Sequence, residues 1–536
     1  MPTRTRKNKY SLITYLDSHQ GALYCVLLAI SFVLLILFQA STTPLYEKYG
    51  GDASIFSIFG ERWVDGVIPY RDLYDHKGPI IFLINAISSL FGDDRWALFI
   101  METLAYSLDL LLIYKISRYL VKPISAWSIA VLFTAFFFAT SSGGNCVEEW
   151  SLPVDLLMVY LAMHFLKTRK PLVNHPHGYS LIYGIGLGYQ LMMRFTNAAT
   201  IGGIILGFVI LFVSEKEWKT LFQNAVYVLM GTAVVIIPFV VYFYHHDCLY
   251  EMFYDSYVVN FLYANNGIKQ NTFHNMLIGC WRSLLVFSGS FLLIILYKLK
   301  RISRNLLILI CSISFASTGV VLVSNRYLHY WLLGGAAMVL SLCGCFMMGA
   351  YVKTLKRHVF CSIALVGVVT LSFIPFMQNL YYAGTMALYT GANLVPKSVL
   401  TAEKNQNSVL IQKLKQWREP DYSSYKDISA NIVSENYDSV FAYDVHASFY
   451  KVTGIPPYKG CKYFIMQPFH AKSDPQINEQ ILDMMIENPP QYIVMTSQEE
   501  AEKSILAKDI ANHYALIMDA SGYPQYPLIL YQRVGE

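Results

Sequence analysis

YRDLYDHKGPIIF, residues 70–82, sets two aspartates, an arginine, a histidine and a lysine directly against an apolar run. Whether that run crosses a membrane decides how the rest of the chain is threaded. From Pro79 to Phe91 it extends for thirteen residues, whereas a spanning helix needs roughly 20. The stretch is therefore expected at the membrane surface, as an interfacial or re-entrant helix, with its charges outside the bilayer.

Of the 536 residues, 55% are hydrophobic, 15% aromatic and only 14% charged, with a mean hydropathy of +0.39. That is too apolar for a soluble protein of this size. Runs long enough for a bilayer occur at 22–40, 96–117, 124–141, 151–166, 179–193, 196–213, 223–244, 279–297, 306–324, 331–350 and 359–377. Basic residues are retained on the cytoplasmic side. TRTRKNK at the N-terminus, Arg118, Lys122, KTRK (167–170), EKEWK (215–219), KLKRISR (298–304) and KTLKR (353–357) share one side if there are eleven spans and residues 79–91 are not one of them. The expectation is a polytopic α-helical membrane protein with about eleven transmembrane helices and a cytoplasmic N-terminus. Its first span is too long for a signal-peptide core and is expected to stay as an anchor.

The cytoplasmic loops account for the net charge of +5, and no nucleic-acid partner is needed. Nine cysteines show neither metal-ligand spacing nor a paired framework. Only Cys146, Cys248 and Cys461 are placed to face an oxidising exterior, and no obligatory disulfide is expected.

Composition changes after Met377. Residues 378–536 are richer in charge, proline and polar turns, and are expected to form an extracytoplasmic α/β domain behind the transmembrane domain 1–377. DSVFAYD (438–444), QYIVMT (491–496) and LILYQRV (528–534) read as short strands, and PQINEQILDMMIENPP (475–490) as a helix stopped by proline. The domain has no Gly-rich phosphate loop or nucleophile elbow, so a lid or docking role is expected of it.

Outer loop 41–95 contains Asp52, which follows a Gly-Gly turn and precedes a segment whose Ile55, Phe56, Ile58, Phe59 and Trp63 line one helical face. Asp52 is either a working carboxylate at the membrane surface or simply a helix-start residue. Lys77, just before Gly-Pro and an apolar helix, is costly unless it snorkels or meets a partner, and at a lipid surface that partner is phosphate. Outer loop 141–151 repeats a Gly-Gly turn and then places Glu148 and Glu149 at the start of a span, either approaching Asp52 or complementing the helix dipole. Arg194, Arg326 and His329 sit at the outer ends of other spans. Acids and cations on one membrane face suggest chemistry on an anionic lipid.

The order GGDASIF, IPYRDLYDHKGP, a short apolar helix, then GGNCVEEWSLP resembles the bacterial polyprenyl-phosphate-sugar-dependent glycosyltransferases of the GT-C superfamily. It is most similar to the branch related to protein O-mannosyltransferases and the lipid A aminoarabinose transferase. The likeness covers roughly residues 20–380 in topology, with specific motifs within about 45–155 and weaker echoes in MMRFTN and RYLHYW. It implies Asp52 as general base, with Glu148 or Glu149 as the second-loop acid. It also implies Lys77 at the donor phosphate, with His76, Arg194, Arg326 and His329 as helpers, and Tyr70, Arg71 and Asp75 as substrate contacts. The implied donor is a polyprenyl-phosphate sugar, and the acceptor a glycan, lipid or protein hydroxyl. Relatives that use a metal carry a DxD-like pair where this chain has Glu-Glu, so no obligatory metal cofactor is expected, and a divalent cation is left open.

Two rival readings differ in what they require. A transporter or flippase of polyprenyl-linked glycolipids would favour internal repeats and mid-membrane charge, but here no clear repeat is visible and the charges crowd one surface. An O-antigen-type ligase or polymerase would carry a late outer loop rich in arginine and histidine, whereas residues 245–275 are mainly aromatic.

Overall fold

The computed structural model describes residues 12–44, 48–92, 95–168, 170–262, 273–323, 327–353, 420–472 and 474–534, with scattered positions between 366 and 384. The helices around the site, in chain order, are α1 (Leu12–Ser18), α2 (Gln20–Phe38), α3 (Gly51–Val64), α4 (Pro79–Ser89), α5 (Trp96–Arg118), α6 (Pro123–Thr140), α7 (Val147–Lys167), α8 (His177–Met193), α9 (Ala199–Ser214), α10 (Trp218–His245) and α11 (Leu249–Phe253).

Among the described residues seven helices are long and apolar enough to cross a membrane, or eight if the pair Leu277–Val286 and Ser288–Lys298, bent by 55°, is one span. The expected count is eleven. α7 has the length but carries Glu148, Glu149 and Asp155, and α8 has only 17 residues. The first part of the last expected run, 359–365, lies outside the described residues, as does residue 378 at the expected domain boundary. α4 is 11 residues long, too short to span, in keeping with its expected place at the surface. Large apolar side chains along α10, among them Leu229, Val234 and Ile237, are exposed, as a lipid-facing helix requires.

α3 and α4 pack so closely that a Cβ on Gly60 would lie 2.3 Å from the backbone carbon of Asn85. Phe59 and Phe82 stack across this contact at 4.0 Å. Beside it the second loop turns through Gly143, Gly144 and Asn145, all at positive φ. Asparagine tolerates that region better than most residues, and here the fully buried Asn145 joins four helices, three through its amide and one through its backbone N–H. Asn145 Nδ2 donates to Asn85 Oδ1 (2.8 Å) and to the Ala53 carbonyl (3.4 Å). Its Oδ1 accepts from Asn85 Nδ2 (3.2 Å) and from the Trp150 indole (3.0 Å). Its backbone N–H donates to Glu102 Oε1 on α5 (2.5 Å), and Thr42 Oγ1 of the first loop donates to Glu102 Oε2 (2.5 Å).

The C-terminal unit is a four-stranded sheet, in the order β1-β2-β4-β3, of β1 (Val440–Ala442), β2 (Tyr492–Met495), β3 (Tyr514–Ala520) and β4 (Leu528–Arg533). β1 and β2 are parallel, and the other two pairings are antiparallel. The three strands expected from sequence are present. β3 is the additional one: most of its side chains are at least partly exposed, so it shows no buried alternation to read. The unit docks on the helices: Phe449, Tyr450 and Phe464 pack in one apolar core with Ile55, Phe56, Phe59 and Phe82 of α3 and α4.

Replacing Asn145 with Ala should destabilise the folded protein by roughly 1–3 kcal/mol for each buried donor or acceptor left unpaired. Thermal unfolding in lipid nanodiscs checks this; an unchanged midpoint would remove Asn145 from its joining role.

Candidate active site

The two loops and four more distant segments meet at one end of the helix bundle. Asp52 occupies the first turn of α3, half-buried, at the helix end where a carboxylate is favoured. Among the described residues no side chain pairs with its carboxylate, yet it lies within electrostatic reach of Asp75 and Arg194.

Residues 70–78 form a tight, buried turn. Tyr70 has a φ of +69° and donates its hydroxyl to the Lys77 carbonyl at 2.7 Å. Asp75 Oδ1 accepts the Lys77 N–H at 2.9 Å, the local bond by which an aspartate fixes a turn. Burial pushes the Asp75 carboxyl up, opposed by Lys77. His76 is driven well below its usual range, first by burial and then by the Lys77 ammonium, so its contact with Asp75 at 3.7 Å is not that of a charged pair. Neutral His76 accepts from Lys77 Nζ through Nε2 at 2.7 Å. An ammonium has three donors, so two remain for a ligand.

This turn is locked onto the end of α8. The Gly78 N–H donates to the Met193 carbonyl at 2.9 Å, and a Cβ on Gly78 would come within 2.1 Å of the Met192 carbonyl oxygen. The next residue, Arg194, is buried and pairs with Glu148 Oε1 at 2.9 Å. Its guanidinium lies 4.2 Å from the Tyr330 ring centroid, and its Nε donates to Thr196 at 2.8 Å. A buried cation is stable only when paired in this way.

The adjacent acids therefore separate. Glu148 faces Arg194, whereas Glu149 turns back to accept the Cys146 N–H at 3.4 Å as part of a capping box, and lines a small cavity with Glu102 and Asp109. His329 joins the edge of the cluster through Ser142 Oγ at 3.0 Å. Arg71 does not join it: exposed, it pairs with Asp72 at 2.8 Å. Arg326 lies outside the described residues. Cys146, Cys248 and Cys461 are buried and unpaired.

Sequence reading missed the groups that the C-terminal unit and the segment after α10 contribute. Asn260 donates to the His76 carbonyl at 2.6 Å and Ser256 to the Lys77 carbonyl at 3.2 Å. Lys462 pairs with Asp255 at 3.2 Å, and Lys451 with Glu61. Burial pushes the Asp255 carboxyl up to about 7, against the pull of Lys462. The His470 ring lies 5.5 Å from His76 and 5.1 Å from Tyr74, and His446 approaches Gly51 beside Asp52. No local motif marks these residues, because their roles arise from contacts across hundreds of positions. Among the described residues no group of three or more His, Cys, Asp or Glu side chains is arranged to hold a metal ion.

Residues 76–245 match the family described as dolichyl-phosphate-mannose-protein mannosyltransferase. This region runs from His76 and Lys77 through Glu148 and Arg194 to the end of α10. No curated protein sequence matches the chain. Among solved structures, ArnT from Cupriavidus metallidurans, bound to undecaprenyl phosphate, is similar with a TM-score of 0.56 at 13% identity, over 97% of this chain and 99% of that one. The oligosaccharyltransferase AglB from Archaeoglobus fulgidus, in complex with an inhibitory peptide and a dolichol-phosphate, is similar with a TM-score of 0.50 at 13% identity, over 96% of this chain and 74% of that one. The chain shares the fold of these two proteins, and the family match is confined to residues 76–245.

Burial, and secondarily Lys77, holds the His470 imidazole at about 4 against an ordinary 6.5. The unfolded chain then takes up a proton that the fold refuses, so stability present above pH 6.5 is lost as pH falls through 4. His470→Phe should flatten the decline in melting temperature across that window. An unchanged profile would mean that His470 is not held neutral against the turn.

Proposed function

We propose that the protein transfers a sugar from a polyprenyl-phosphate-linked donor to a hydroxyl acceptor on the outer face of the membrane, with inversion and with Asp52 as general base. The observation that carries this reading is a half-buried carboxylate, without a side-chain partner among the described residues, in electrostatic reach of Arg194, to which Lys77 is tied through the Gly78–Met193 contact. The lipid phosphates bound by the two structural relatives support a phosphate ligand between those cations. In this reading the N-terminus is cytoplasmic, and the C-terminal unit lies outside with the site.

Lys77 offers its two remaining N–H donors and Arg194 its partly neutralised guanidinium to the donor phosphate, with His329 at the rim. Glu148 keeps Arg194 charged and oriented. The acceptor oxygen attacks the anomeric carbon as the bond to the phosphate oxygen breaks. The electron pair leaves with the polyprenyl phosphate, and the hydroxyl proton passes to Asp52. Cations already fixed at the departing phosphate stabilise the charge that develops there without reorganising. Tyr70 and Asp75 act through the turn by holding Lys77, and no step requires an obligatory metal.

The test is transfer from a panel of synthetic polyprenyl-phosphate sugars to membrane acceptors by purified protein in lipid. Asp52→Asn should lower turnover by about 10²–10⁴-fold, as loss of a general base does, while donor binding persists. Lys77→Ala should weaken donor binding itself. Full turnover by a folded Asp52→Asn variant would refute the base assignment. Translocation of the lipid without consumption of any donor would favour a flippase.

A further inference from the structure

The C-terminal unit has a cavity of its own, of about 280 Å³, at the carboxyl ends of the parallel strands β1 and β2. In α/β sheets this is where ligands bind. Its walls are built: Gln467, fully buried, donates to the Ala442 and Tyr463 carbonyls at 2.9 and 3.0 Å and accepts the Asp444 N–H at 2.8 Å. That last bond helps hold Asp444 at a φ of +54°, and Met466, just before the helix Gln467–Ala471, is also left-handed at +50°. Non-glycine residues kept in this region mark places where the fold maintains a set geometry.

The lining identifies the ligand's chemistry. Asp444, Asn478, Thr496 and Glu500 supply acceptors and donors, and Tyr443 and Ile505 an apolar floor. Lys472 and Lys503 face the carboxylates of Asp444 and Glu500, and Lys503 is also paired with Glu499 at 2.5 Å, so the cavity has no excess of positive charge with which to select a phosphate. Mixed polar groups over an aromatic and aliphatic floor suit a neutral polyhydroxylated ring, whose hydroxyls need both donors and acceptors while its C–H face needs apolar contact. The volume sits near the lower end of small-molecule sites, roughly 300 Å³, which fits one ring. Pro468 and Ala471 line this cavity, and His470 of the same short helix faces His76 and Tyr74.

We propose that this cavity binds a single saccharide unit, either the end of an acceptor glycan or a free sugar, on the far side of the helix that touches the Lys77 turn. The inference goes beyond the transferase reading, and its test needs no turnover. Saturation-transfer NMR on the full-length protein in nanodiscs, with free monosaccharides and matched oligosaccharides as probes, should detect binding to the wild type and equally to Asp52→Asn. Asp444→Asn with Asn478→Ala should weaken that binding about tenfold or more, as loss of hydrogen bonds to a ligand does. If that pair fails to fold, Thr496→Tyr, which fills the cavity, should abolish binding. Tighter binding of oligosaccharides identifies an acceptor, and equal binding a free sugar. The inference is overturned if no sugar binds, if the folded cavity variants bind like wild type, or if binding is lost in Asp52→Asn instead.

Discussion

One buried amide holds the site end of the molecule together. Asn145 bonds to α3 one residue from Asp52, to the centre of α4, to Glu102 on α5 and to Trp150 on α7. In an apolar surrounding each of those polar groups would be expensive alone. Joined, they fix the start of α3 against the start of α7, and so the distance between the first-loop and second-loop acids. The same end of the bundle carries the second fixed joint, where Gly78 admits no side chain against α8 and thereby sets Lys77 beside Arg194. Acid and cations are thus placed by two separate contacts of backbone and buried polar groups, not by flexible loops.

The buried cations around the site are each matched by a neighbouring group, whereas the candidate base, Asp52, has no side-chain partner among the described residues. Arg194 is matched by Glu148, Lys77 by neutral His76, and Lys462 by Asp255. Asp52 alone is half-buried and unengaged. The proposed lipid-phosphate site needs cations that are oriented yet not fully satisfied, and a carboxylate partner for Arg194 with an uncharged one for Lys77 would meet that need.

Much of this was legible in the sequence, for identifiable reasons. Residues 70–82 announce a turn with a lysine before Gly-Pro, and the short α4 follows from run length alone. β1, β2 and β4 are buried and apolar, so composition exposes them. What was hidden depends on direction and distance. Glu148 and Glu149 are adjacent in sequence, and only the helix phase separates one toward Arg194 and the other toward Cys146. The docking of Phe464 and His470 against the first loop joins positions about four hundred residues apart and leaves no local pattern, so the core that this unit shares with α3 and α4 could not be read from sequence.

In the proposed reaction Lys77 and Arg194 form one phosphate site facing Asp52. An experimental structure of the protein in nanodiscs with a polyprenyl phosphate tests it most directly. The account predicts the phosphate within hydrogen-bond distance of both Lys77 Nζ and the Arg194 guanidinium, with the Asp52 carboxylate open to the acceptor side. A phosphate bound elsewhere, with Lys77 and Arg194 still engaged only by His76 and Glu148, would contradict it.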